Sequence, residues 1–179
     1  NQGDALKVFL SEQDLLGVEE AGGDREAETL WTARRSVSPA AFKLKPHKMS
    51  EDVVVPRTRI PELVACVETL GRDLDIVIFT FGHAGDGNIH VNIMLDRNDK
   101  GEKERCETAK RRLFKEVVGL GGTLSGEHGV GITKARFLPL ELDGNALAVM
   151  QDIKMLFDPL NILNPGKIFP GKDDKPKKN

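Results

Sequence analysis

The chain has 179 residues, a formal net charge of −2 at neutral pH and 39% hydrophobic residues. That is enough for one globular domain with its own core. The near-balanced charge leaves no electrostatic footprint for a nucleic-acid partner, and the apolar runs are too short to span a bilayer. The start shows no signal-peptide pattern, and it opens on Asn-Gln-Gly in mid-pattern, so it is read as part of a longer chain. Cys66 and Cys106 lie in separate helix-like stretches and are read as reduced, buried thiols.

Ala5–Leu10 is a short strand candidate, and Glu12–Gly23 is acidic and ambiguous. A clearer helix starts at Asp24, where Ala27, Leu30, Trp31 and Arg34 follow the spacing of one helical face. Arg34 therefore shares the apolar stripe and needs a partner, since an unpaired buried charge is costly. A salt bridge within the protein, a snorkelling side chain and an acidic ligand all remain open for it. Pro39 is expected to end the helix. Ala40–Ser50, with three lysines and His47, reads as a solvated loop.

Asp52–Val55 reads as a strand closed by Pro56, and Pro61 suits a helix N-terminus. That helix carries Ile60, Leu63, Val64, Val67 and Leu70 on one apolar face. Two strands follow, at Ile76–Phe81 and Ile89–Leu95, then a charged amphipathic helix over Glu102–Val118. A further strand at Gly122–Ser125 would complete βαββαβ. This is the order of a ferredoxin-like α+β fold, an antiparallel sheet with helices on one face. A C-terminal helical segment follows: Thr133–Leu140 as a short helix or turn, then Gly144–Phe157 with Leu147, Met150, Ile153 and Phe157 inward. Residues 1–170 are read as one domain and the charged tail 171–179 as disordered.

Between the two central strands lies Thr80–Asn92, TFGHAGDGNIHVN. Asp86-Gly87 favours a two-residue type I′ loop. Counting outward then opposes His83 to His90, on one face of the hairpin with Asn92. Two imidazoles and a carboxamide so placed suit one divalent ion. Asp86 itself is read as the turn residue alone. A second glycine-rich stretch, GGTLSGEHGVG at Gly121–Gly131, surrounds Glu127-His128. Glu127 would complete a set of two histidines and a carboxylate, which holds a metal and leaves positions open for a ligand. His128 can be a general base, since imidazole as a side-chain type titrates near neutrality.

GHAGDGNIHVN, GGTLSGEHGVGITK and DPLNILNPGKIF together resemble the C-terminal domain of FAD-linked oxidases of the vanillyl-alcohol-oxidase type. The branch it is most similar to holds glycolate oxidase flavoprotein subunits, D-lactate dehydrogenases and D-2-hydroxyglutarate dehydrogenases. The resemblance implies oxidation of a small D-2-hydroxy acid to the 2-oxo acid, with the hydride passing to FAD. It implies His83, His90 and Glu127 as ligands of zinc, manganese or iron, and His128 as the catalytic base. Arg34 would hold the substrate carboxylate, with Ser38, Lys48 and Asn92 on the substrate side and Asn164 near the flavin. It implies an N-terminal FAD domain of roughly 200 residues. No counterpart of that domain is present, so the chain alone is expected to be inactive. An iron–sulfur electron-transfer subunit and a homodimer are the further partners it admits, with a cytoplasmic location and membrane association only through partner subunits. The competing reading without that resemblance is a freestanding metal- or ligand-binding α+β module with no redox function. A scaffold whose histidines merely fill a core is the third.

Overall fold

The computed structural model describes residues 2–14 and 17–169. The tail at 171–179, expected to be disordered, lies outside the described residues. By its internal packing the chain falls into two compact units, Asn1–Ala41 and Phe42–Asn179. No helix among the described residues is long and apolar enough to cross a membrane.

The first unit carries two helices, α1 (Gln2–Ser11) and α2 (Asp24–Ala40). The strand expected at Ala5–Leu10 is thus a helix. A lone strand would leave its backbone groups unpaired, whereas a helix satisfies them within itself. Lys7 pairs with Glu20 at 2.6 Å, tying α1 to the segment that follows. Pro39 sits inside the last turn of α2, which runs one residue past it. None of the α2 side chains is buried, so Arg34 is not on a core-facing stripe within this unit.

The second unit is built on a three-stranded antiparallel sheet, β1 (His47–Val54), β2 (Val77–His83) and β3 (Asn88–Leu95), in the order β1-β3-β2. Two helices, α3 (Ile60–Leu74) and α4 (Lys100–Gly119), cover one face. Along β3, Ile89, Val91, Ile93 and Leu95 enter the core against them, while His90 and Asn92 point the other way. Pro61 opens α3 as expected, and Asp99 caps α4 by accepting from the Glu102 amide at 3.0 Å. Cys66 and Cys106 lie in α3 and α4 as free thiols.

Strand β1 begins at His47, five residues before the expected start, and the lysine-rich loop is correspondingly shorter. Its ladder with β3 runs from His47↔Leu95 to Val54↔Asn88. Glu51 breaks the apolar alternation on the core face. Lys110 of α4 compensates it at 2.5 Å, with both side chains almost fully buried. The fourth strand shrinks to one bridge beside β1. Val54 and Thr123 exchange two backbone hydrogen bonds there, at 3.1 and 2.8 Å, and the chain then turns away. The last helix, α5 (Gly144–Phe157), has the expected bounds but not the expected burial. Ile153 and Phe157 are 53% and 78% exposed. Among the described residues of this unit nothing buries that side of α5, so apolar spacing did not translate into core.

Candidate metal centre

The hairpin differs from the type I′ expectation. Four residues, Ala84–Gly87, connect β2 to β3, and His83 pairs with Asn88. Two backbone amides, Asp86 and Gly87, donate to the His83 carbonyl at 3.3 and 3.0 Å. Asp86 is the turn residue as read, its carboxylate accepting from the Asn88 amide at 3.1 Å. Gly87 has φ +83°, and a Cβ there would stand 2.1 Å from the Val55 carbonyl oxygen. Glycine is required on both counts.

His90 is therefore opposed to Phe81, not His83. The register is displaced by two residues, which leaves every side chain on its original face; a displacement of one would have reversed them. His83 and His90 become diagonal neighbours, with ring centroids 5.4 Å apart and planes nearly perpendicular. Phe81 lies 5.4 Å from the other side of His90.

The loop after the Thr123 bridge carries Glu127 and His128 over this face. Glu127 Oε1 is 3.5 Å from His90 Nε2, and the His128 ring stacks on His90 at 5.6 Å. The ligand atoms of His83, His90 and Glu127 all lie within 4.8 Å of one another, so modest side-chain rotation would close them on one ion. Burial pushes the His90 imidazole below its ordinary pKa. Glu127 opposes that shift, while the neighbouring His128 and His83 add to it. The depressed value favours the neutral, ligating form.

Beneath the loop lies a group that the sequence reading missed. Asp52 of β1, directly opposed to His90, is fully buried. One of its oxygens, Oδ2, accepts from the amides of Gly126 and His128, at 2.9 and 3.0 Å. Lys134, also buried, donates to Oδ1 and to the Asp52 carbonyl. Burial raises the Asp52 carboxyl, but Lys134 and the His128 amide outweigh it and hold the pKa below its usual value. The signal was an aspartate in an apolar strand, which demands a buried partner. Asn88 packs under Gly126, where an added Cβ would meet its carboxamide at 2.7 Å. Asn88 Oδ1 and Ser125 Oγ are buried without a hydrogen-bond partner.

The other expected site residues are spread more widely. Asn92 shares the face of His90 but is fully buried, accepting from Ser50 Oγ at 3.1 Å and donating to the His90 carbonyl at 3.2 Å. Lys48 lies on the same face of β1, four residues from Asp52, and sits 5.6 Å over the Phe42 ring. Arg34 and Ser38 are one turn apart on α2, in the first unit, with the Arg34 guanidinium 5.5 Å over Trp31. Asn164 has φ +50° and accepts from Lys167 Nζ at 2.8 Å. Its segment is tied toward the second glycine-rich loop by Ile168, whose amide donates to the Gly131 carbonyl at 2.8 Å. His47, read as surface, lies at the far end of β1 with Nδ1 3.9 Å from Asp96.

Similarity to known proteins covers most of the chain. A glycolate oxidase subunit GlcD of Bacillus subtilis is 42% identical over 164 residues, covering 92% of this chain and 35% of the relative. A probable mitochondrial D-lactate dehydrogenase of Danio rerio is 40% identical over 142 residues, 78% of this chain and 29% of the relative. A D-2-hydroxyglutarate dehydrogenase of Stutzerimonas stutzeri is 34% identical over 150 residues, 82% of this chain and 32% of the relative. The chain thus spans about a third of the length of these relatives. The family model described as FAD linked oxidases, C-terminal domain, matches residues 6–168, and the chain belongs to that family.

Proposed function

We propose that this chain is the substrate-side domain of an FAD-dependent oxidoreductase that converts a small D-2-hydroxy acid to its 2-oxo acid. The observation that carries the reading is the convergence of His83, His90 and Glu127 within 4.8 Å, with His128 stacked alongside. The relatives' names supply the substrate class: glycolate, D-lactate and D-2-hydroxyglutarate are all 2-hydroxy acids. In this reading the three converging side chains hold zinc, manganese or iron. A divalent ion there would lower the pKa of a hydroxyl beside it, as it does for water. Bound FAD supplies the two-electron acceptor. The glycines at Gly82–Gly87 lead into a strand and not a helix, so they form no pyrophosphate cradle, and apart from Asn164 the flavin contacts are assigned outside the described residues.

His128 is the proton acceptor. Its side chain is 55% exposed, and its Nδ1 lies 3.6 Å from the Asp52 carboxylate. Glu127 Oε1 lies 3.7 Å from Nε2, so a carboxylate stands beside each ring nitrogen. Arg34 offers the substrate carboxylate a two-pronged ion pair, with Ser38 one turn away. Lys48 and Asn92 line the substrate side, and Asn164 approaches the flavin. One relative is named as a subunit, which supports a partner subunit for this chain; oxygen, a quinone and an iron–sulfur subunit are the candidate electron acceptors. The test is anaerobic flavin bleaching, in the flavoprotein that carries this chain, by a panel of 2-hydroxy acids. D-isomers should bleach the flavin, and His128→Ala should slow bleaching by about 10²-fold or more. Bleaching at the unaltered rate in that variant would refute the assignment.

A further inference from the structure

The Asp52–Lys134 pair is unusual for this molecule in what it holds. A second ion pair buried on both sides, Glu51–Lys110, joins β1 to α4 on the opposite face of the sheet. Asp52 instead faces the site. Its Oδ2 accepts from the two amides that flank Glu127, one residue before and one after. Its Oδ1 stands 3.6 Å from His128 Nδ1. Lys134 fixes the carboxylate from below by bonding both its side chain and its carbonyl. Glu127 and His128 are themselves more than half exposed. Among the described residues, the Glu127 carboxylate stands 3.5 Å from His90 and 3.7 Å from His128.

We propose that Asp52 is a positioning residue: its carboxylate, anchored by Lys134, clamps the amides of Gly126 and His128 and so presets Glu127 as third metal ligand and the orientation of His128. This rests on reading His83, His90 and Glu127 as a ligand set. The clamp lowers the entropy lost when Glu127 closes on an ion, because the loop is ordered before the ion arrives. Removal of such outer partners typically weakens metal affinity by about 10–100-fold.

Cobalt(II) alone is the probe, since its visible absorption responds to the ligand set and its geometry. Asp52 and Lys134 are removed together, as Asp52→Ala with Lys134→Met, so that no unpaired charge stays buried. Glu51→Gln with Lys110→Met is the control, an equally buried pair that does not face the site. Cobalt affinity is expected to fall by about 10–100-fold in the first double variant, with a spectrum approaching that of Glu127→Gln. The control should match the unaltered chain. Unchanged affinity and spectrum in the first variant, or an equal loss in the control, would overturn the proposal. Amide exchange in the unaltered, metal-free chain decides it independently of how any variant folds. The Gly126 and His128 amides should be protected; exchange at open-chain rates would overturn the clamp. Failure of the unaltered chain to bind cobalt would count against the ligand set, while the amide exchange would still judge Asp52.

Discussion

At the scale of single residues, the site depends on side chains brought together from distant parts of the sequence. His83 and His90 were legible because a hairpin relates them, and strand alternation alone puts them on one face. Glu127-His128 was legible as chemistry, a carboxylate beside an imidazole among glycines. Asp52 was not, because its explanation lies in Lys134, 82 positions away, and in two loop amides that no local pattern reveals. The thiols give a test at this scale. Burial raises both, and pushes Cys106 up to about 11. At pH 8 only about one Cys106 in a thousand is then thiolate. Cys106 should resist iodoacetamide in the native chain and react at the open-chain rate in denaturant. Rapid native labelling of Cys106 would show that α4 does not seal it from solvent.

At the scale of elements, helices α3, α4 and α5 were readable from apolar spacing and end signals within a few residues. The first half of β1 was not, because its inward Glu51 is neutralised by a lysine of another element. The hairpin loop was misjudged in length, yet its side-chain faces survived because the displacement was even. Gly87→Ala is expected to cost about 2 kcal/mol or more, since it combines positive φ with collision on a backbone carbonyl. Denaturant unfolding would measure this, and a change under about 0.5 kcal/mol would mean that the turn rearranges freely. After α5, Asp158 accepts from the Ile162 and Leu163 amides at 3.0 and 2.9 Å. Its hydrogen bond from Lys154 and these two amides hold its pKa below the usual carboxylate value, against a smaller effect of burial. The folded pKa is thus the lower one. The bonds contribute fully above the ordinary value of about 4 and are lost as pH falls through the folded value. Protection of the Ile162 and Leu163 amides should therefore fall on acidification below about pH 4, and Asp158→Ala should remove it at neutral pH.

At the scale of the whole molecule, the chain matches about a third of the length of its relatives. A buried core lies between the sheet and α3–α4. Phe114, fully buried, packs edge-on against Phe137 at 4.8 Å. Phe114→Ala should cost about 3–5 kcal/mol in denaturant unfolding. A loss under about 1 kcal/mol would place the core elsewhere. The 179-residue chain by itself is expected to bind little or no FAD and turn nothing over, and a yellow, active preparation would contradict that. The central claim is that the hairpin and the second glycine-rich loop make one metal site. Its most direct test is metal content after equilibration with zinc and removal of excess. The unaltered chain should retain about one ion per molecule, and a His83→Ala, His90→Ala double variant with an intact fold should retain almost none. Equal zinc in the two proteins would contradict the account.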